Sequence, residues 1–224
     1  MFKEKENFLK KADSDAKIRL GILGGSFDPV HTAHVGLARA AYRQLGLDRV
    51  VFMPARQAAL KTSAVSASPR DRLAMLSLAL ESADFPHSIS EMEIRRSGIS
   101  YSVDTVREIL SARPNCEIYW IIGSDHLAKM SQWREIEELC RLAKFACARR
   151  GGVGADFSDA PKFARIEPID FEPIELSSTE LRAALKNGKM RDLKLDPRVL
   201  EYILKHKLYD YGKSEKNDSQ EDGG

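Results

Sequence analysis

Hydrophobic positions between Ile18 and Leu204 fall into short apolar runs that alternate with stretches of helical spacing. Ile18 to Leu23 (IRLGIL) reads as a buried strand that Gly24-Gly25 breaks, after which Val35, Ala38, Ala41, Tyr42 and Leu45 share one side of a helix. Arg49 to Pro54 (RVVFMP) gives a second strand, and Ser68-Pro69 supplies an N-cap and an N1 proline for a helix carrying Leu73, Leu76 and Leu80. A third strand near Ser88 to Ile94 precedes a helix from Ser102 to Ala112. The fourth strand, Glu117 to Ile122, runs into Gly123-Ser124-Asp125 and another helix. A fifth strand near Lys144 to Ala148, a glycine-rich surface loop from Arg150 to Gly154 and a sixth strand over Phe163 to Glu167 follow. Ser177 and Glu180 have the spacing of a capping box. Asp196-Pro197 opens a last helix whose apolar face includes Val199, Leu200, Ile203 and Leu204. This alternation predicts an α/β fold, a doubly wound parallel sheet with a small C-terminal helical part and ligands at the carboxyl ends of the strands.

Composition narrows the picture. With 224 residues, 43% of them hydrophobic, one compact domain over residues 18–211 is expected. Residues 1–17 form a charged extension, and 212–224 lack any large apolar side chain and are expected to be a disordered polar tail. Lys and Arg number 35 against 33 Asp and Glu, a net charge of +2, which argues against nucleic-acid and membrane surfaces and leaves small anionic ligands open. Cys116, Cys140 and Cys147 lack zinc-like pairing and read as free thiols in a reducing compartment. The N-terminal stretch has no apolar run of signal-peptide length, so a soluble cytoplasmic protein is expected; the pattern sets no oligomeric state.

Four segments fall after predicted strands or at helix starts, where backbone N–H groups and the helix dipole favour phosphate: Gly24 to His34, Ser100 to Thr105, Gly123 to Asp125 and Ser177 to Arg182. His31 and His34, three residues apart at an incoming helix, place both imidazoles near one face. That spacing alone also fits a structural histidine or the start of a zinc site, which needs a third and usually a fourth ligand. Ser177 alone could be a helix cap, Arg182 a surface charge and Trp133 a core residue. Asp28, before Pro29, reads as a turn-fixing residue.

Gly25, Phe27, Asp28, Pro29, His31 and His34 match the signature G-x-F-D-P-x-H-x-G-H, with Ala33 at the usual glycine, and Leu176 to Arg182 (LSSTELR) is similar to I-S-S-T-x-I-R. Together they resemble the Rossmann-like nucleotidyltransferase superfamily. Ser97 to Thr105 (SGISYSVDT), Trp120 to Asp125 (WIIGSD), Gln132-Trp133 and the closing GKMRDLKLDPRVLEYILKHKLY resemble the bacterial nicotinate-nucleotide adenylyltransferases, with Asp196 where Val is usual. Where that family often has P-P-H-K, this chain has Ala58-Ala59-Leu60-Lys61.

The resemblance implies adenylyl transfer from ATP to nicotinate mononucleotide, releasing pyrophosphate and forming deamido-NAD. It casts His31, His34 and Arg182 as catalytic and Gly24, Gly25, Ser26, Phe27, Gly123, Asp125, Ser177, Ser178 and Thr179 as binding ATP or its phosphates. Lys61, Tyr101, Ser102, Asp104, Thr105, Trp133 and Arg134 would hold the mononucleotide. Mg²⁺ would ride on the substrate phosphates rather than on a protein carboxylate cluster. A sister adenylyl- or cytidylyltransferase shares the histidine signature, and a non-catalytic nucleotide sensor would share the fold. The SYSVDT segment argues against the first, and retained His31, His34 and Arg182 argue against the second.

Overall fold

The computed structural model describes residues 17–59, 65–148, 157–171, 177–189 and 191–211. Lys61, Leu176, the predicted loop at 150–154, nearly all of the N-terminal extension and the polar tail lie outside them. Six strands, β1 (Ile18–Gly25), β2 (Arg49–Pro54), β3 (His87–Ile89), β4 (Cys116–Ile122), β5 (Ala143–Ala148) and β6 (Ile166–Ile169), form one sheet. Its order is β3-β2-β1-β4-β5-β6 and every pairing is parallel. The helices are α1 (Thr32–Leu45), α2 (Pro69–Leu80), α3 (Met92–Arg95), α4 (Ser102–Ala112), α5 (Ile136–Leu142), α6 (Ser178–Lys186) and α7 (Pro197–Lys205).

A parallel strand buried on both faces sends alternate side chains into two separate cores. In β4, Ile118, Trp120 and Ile122 pack with Val103, Val106 and Ile109 of α4 and Leu139 of α5. Tyr119 and Ile121 face the opposite core, with Ala38 and Ala41 of α1, Met75 and Leu76 of α2, Leu181 of α6 and Val199 and Ile203 of α7. The C-terminal helices thus complete one face of the sheet. No helix of the described residues is long and apolar enough to cross a membrane.

Several predicted boundaries move, each for a local reason. β3 stops at Ile89 rather than running to Ile94, because the Ser90 hydroxyl accepts the Met92 N–H (3.2 Å) and starts α3. β6 occupies Ile166–Ile169 rather than Phe163–Glu167, since a turn from Pro161 to Ala164 (N–H to O 2.8 Å) leaves Phe163 50% exposed. Pro168 is tolerated there because β6 is an edge strand. The segment after β4 is a 3₁₀ helix, Ser124–Gln132, ahead of α5. Gly24 and Gly25 do not break β1; they pair with Met53 and Pro54. The three cysteines are free thiols, and burial pushes Cys140 up to about 11 and Cys147 up to about 12.

Candidate active site

Helices switch from one face of the sheet to the other between β1 and β4, and ligands of open α/β sheets bind outside the carboxyl ends of such neighbouring strands. Beyond β1 the backbone turns at Ser26-Phe27, where Phe27, not a glycine, adopts the left-handed conformation (φ 48°). Its ring, 1% exposed, packs edge-on against His34 at 5.0 Å and tilts against Phe52 at 6.0 Å, which holds this costly geometry in place. The glycines serve close approach instead: a Cβ on Gly24 would meet the Trp120 ring at 3.2 Å.

His31 is the N-cap of α1 and His34 lies one turn on, with ring centroids 3.8 Å apart. His34 Nδ1 accepts the His31 backbone N–H (3.3 Å), so the neutral His34 ring carries its proton on Nε2. The first turn of α1 contains no acidic residue, so the positive end of its dipole is not offset from within the helix.

The Ser26 hydroxyl is buried and, among the described residues, has no hydrogen-bond partner. Buried hydroxyls are ordinarily bonded, so an orphan at a loop of this kind suits a ligand oxygen. Arg72, 1% exposed, supports the same loop by donating from one Nη to Ser26 O (2.7 Å) and Ala55 O (2.8 Å). Burial pulls the Arg72 ionisation down, and Asp28 opposes that pull. Sequence reasoning missed Arg72. Its one signal is a basic residue in the first turn of a helix, against the dipole.

Asp28 is 2% exposed, and its carboxylate accepts from Ser66 N (2.7 Å), Ala67 N (3.0 Å) and the Tyr209 hydroxyl (2.9 Å). These bonds agree with the turn-fixing role read from Asp28-Pro29. Arg182 of α6 donates to Asp28 O (2.8 Å) and Thr179 Oγ1 (3.2 Å), while Ser178 Oγ donates to Pro29 O (3.1 Å). The two sequence motifs, about 150 residues apart, therefore meet. Ser177 and Glu180 form the reciprocal capping box, with Ser177 Oγ accepting Glu180 N (3.1 Å) and Glu180 Oε2 accepting Ser177 N (2.9 Å). This leaves the backbone amides of Ser178 and Thr179 as the groups of that turn without an intrahelical acceptor.

Past β4, Gly123 is the N-cap of the 3₁₀ helix, and Asp125 folds so closely over it that a Cβ there would lie 2.5 Å from Asp125 Oδ1. Tyr101, Ser102 and Asp104 gather at the start of α4. The Arg134 guanidinium lies 4.7 Å over the Tyr101 ring and 3.7 Å from Asp104 Oδ2, which joins the SYSVDT segment to Trp133-Arg134. Trp133 Nε1 is buried and unpartnered among the described residues. Thr105 is placed apart from these groups. Its hydroxyl is fully buried and donates to Glu93 Oε1 (2.7 Å), a carboxyl whose ionisation burial pushes upward. Ser100 fastens the same segment to the end of β2, through Ser100 N to Gln57 O (2.9 Å) and Arg56 N to Ser100 Oγ (3.1 Å). No group of three or more His, Cys, Asp or Glu among the described residues is arranged to hold a metal ion.

The family described as cytidylyltransferase-like matches residues 22–184, which takes in both motifs, the end of β1 and strands β2 to β6. A curated relative from Opitutus terrae, named "Probable nicotinate-nucleotide adenylyltransferase", is 38% identical over 86% of this chain and 98% of its own length. The chain belongs to the nicotinate-nucleotide adenylyltransferase family. A relative of the same name from Herpetosiphon aurantiacus is 41% identical over 85% of this chain and 98% of its own. Among solved structures, Plasmodium falciparum nicotinic acid mononucleotide adenylyltransferase complexed with NaAD superposes with a TM-score of 0.75. That match covers 88% of this chain and all of the other at 21% identity, and speaks for the fold.

Proposed function

We propose that this chain transfers the adenylyl group of ATP to nicotinate mononucleotide, forming deamido-NAD and pyrophosphate. One observation carries the reading beyond family membership: the His31–His34 pair, the orphan Ser26 hydroxyl and Arg182 converge on the Asp28-Pro29 turn outside β1, while Tyr101, Asp104 and Arg134 assemble next to Trp133 outside β4. Two phosphate-bearing substrates suit two such groups of side chains beyond neighbouring strands.

The 5′-phosphate of the mononucleotide attacks the α-phosphorus of ATP in line, and pyrophosphate departs. A phosphate is already ionised near neutral pH, so no general base and no covalent enzyme intermediate are needed; alignment and charge compensation supply the catalysis. His34 serves as an Nε2–H donor to a phosphate oxygen, and His31 flanks it. The Ser26 hydroxyl, the Ser178 and Thr179 amides and Arg182 take the remaining oxygens, Arg182 meeting charge as it develops on the transferred group. Gly24 and Gly25 keep the strand end slim, Phe27 sets the turn, and Gly123 with Asp125 borders the nucleotide from β4. Ser102 and Trp133 face the pyridine side, with Lys61 a further phosphate ligand. Mg²⁺ would be held by the substrate phosphates rather than by side chains of this chain, and would supply charge compensation there. A cytoplasmic location suits a reaction that draws on ATP.

Incubation with ATP, Mg²⁺ and either nicotinate or nicotinamide mononucleotide tests this, with pyrophosphate release and the product mass as readouts. Preference for the acid is expected. Preference for the amide would reassign the acceptor, and absence of either product would defeat the proposal.

A further inference from the structure

The closing Leu208-Tyr209 pair belongs to the stretch similar to the adenylyltransferase family, yet the reaction above gives it no part. It lies in a terminal 3₁₀ turn whose backbone is left-handed at Lys207 (φ 49°), Tyr209 (φ 61°) and Asp210 (φ 57°). Three such non-glycine residues in a row of four cost free energy, and they persist where a particular contact holds them. The contact here is Tyr209 Oη to Asp28 Oδ1 at 2.9 Å, with Met75 Sδ 3.8 Å away. Burial, and then the charge of Asp28, push ionisation of the phenol upward, so it stays a donor.

Asp28 Oδ1 is shared by the Tyr209 hydroxyl and Ala67 N, and Oδ2 takes Ser66 N. Arg182 Nη1 stands 3.8 Å from Oδ2, held to the neighbouring Asp28 carbonyl at 2.8 Å. Arg72, the other cation facing Asp28, is committed to two carbonyls. A buried carboxylate that loses a donor seeks another, and the nearest side chain able to move is Arg182.

We propose that Tyr209 is a positioning residue for adenylyl transfer: by satisfying Asp28 Oδ1 it keeps Arg182 from tightening its 3.8 Å ion pair with that carboxylate into a direct hydrogen bond and so leaves the guanidinium to the triphosphate. The inference rests on the proposed function. Tyr209→Phe removes the hydroxyl and nothing else. The expected result is a roughly fivefold fall in kcat, both KM values within about twofold of the parent, and a fall that disappears when measured on the residual turnover of Arg182→Ala. A purely structural tyrosine would lower the melting temperature and leave kcat alone, or would slow both backgrounds by the same factor; either result overturns the proposal. A crystal structure of Tyr209→Phe gives a readout independent of turnover: Arg182 Nη1 is expected to close on Asp28 Oδ2 from the present 3.8 Å, and an unchanged separation also overturns it. If the parent makes no dinucleotide, the functional reading fails, and this distance alone decides how the two side chains are coupled.

Discussion

Replacing Arg72 with methionine keeps most of the side-chain volume and removes a charge buried to 1% exposure beneath the Ser26-Phe27 turn. Two charge-assisted donors vanish, those to Ser26 O at 2.7 Å and Ala55 O at 2.8 Å, and the carbonyls at the ends of two strands lose their common partner. Asp28, 2% exposed, is left with Arg182 Nη1 at 3.8 Å as its cation. Stripping one charge from such a buried arrangement typically costs 3–5 kcal/mol. The variant regains the desolvation that already pulls the Arg72 ionisation down, which places the expected loss at the lower end, about 3 kcal/mol. For a domain of this size that lowers Tm by roughly 6–12 °C. Thermal unfolding followed by circular dichroism measures it, with urea unfolding as a check that the slope m is unchanged. A Tm within about 2 °C of the parent would refute the claim that Arg72 braces the turn.

Three other outcomes follow from the same geometry. His34→Ala is expected to lower kcat by roughly a hundredfold while the protein stays folded, because the proposed function makes His34 a donor to a reacting phosphate; unchanged turnover would count against the role given to His34. Glu93 has its ionisation raised by burial, so the folded state holds that proton more tightly and the carboxyl's stabilising share is full below its ordinary value of 4.5, then lost as pH rises through the folded value. Glu93→Gln, which can still accept from Thr105, is therefore expected to gain stability relative to the parent as urea unfolding is moved from acid to neutral pH, and a difference independent of pH would contradict the burial argument. Asp196 caps α7 by accepting Arg198 N (2.9 Å), and its bonds to Arg198 hold its ionisation below the usual range. Asp196→Ala is expected to cost about 1 kcal/mol near neutral pH and to lose that penalty as pH falls through the folded value, with turnover unaffected; a loss of turnover would tie α7 to the site.

The order of strands and helices was legible because each depends on local pattern: Ser68-Pro69, Ser177-Glu180 and Asp196-Pro197 mark helix starts through bonds made within a few residues. β3 was overextended because Met92 and Ile94 continue an apolar pattern that the Ser90 hydroxyl interrupts, and a single side-chain bond leaves no periodic trace. The same limit governs the site. His31, His34 and Arg182 are recognisable because motif spacing carries them, whereas Arg72 and Tyr209 act through contacts with Ser26 and Asp28 made 46 and 181 positions away. Thr105 shows the converse: its position in SYSVDT suggested substrate, yet the helical phase of α4 turns its hydroxyl inward to Glu93 while Asp104 faces Arg134.

These long-range contacts also set how the cations around the Asp28-Pro29 turn are balanced. His34 Nδ1 accepts the His31 amide, and the two rings lie tilted at 37° with centroids 3.8 Å apart. Arg72 and Arg182 are both bound through carbonyls and balanced by one carboxylate, Asp28, whose three donors fix it in place. Of these two cations Arg72 is sealed at 1% exposure, while the Arg182 side chain keeps 22% of its surface accessible. One arginine is therefore sealed into the turn, while the other stays accessible for the role proposed for it above. Mutations at Asp28 should for that reason disturb stability and turnover together, whereas those at His34 should separate them.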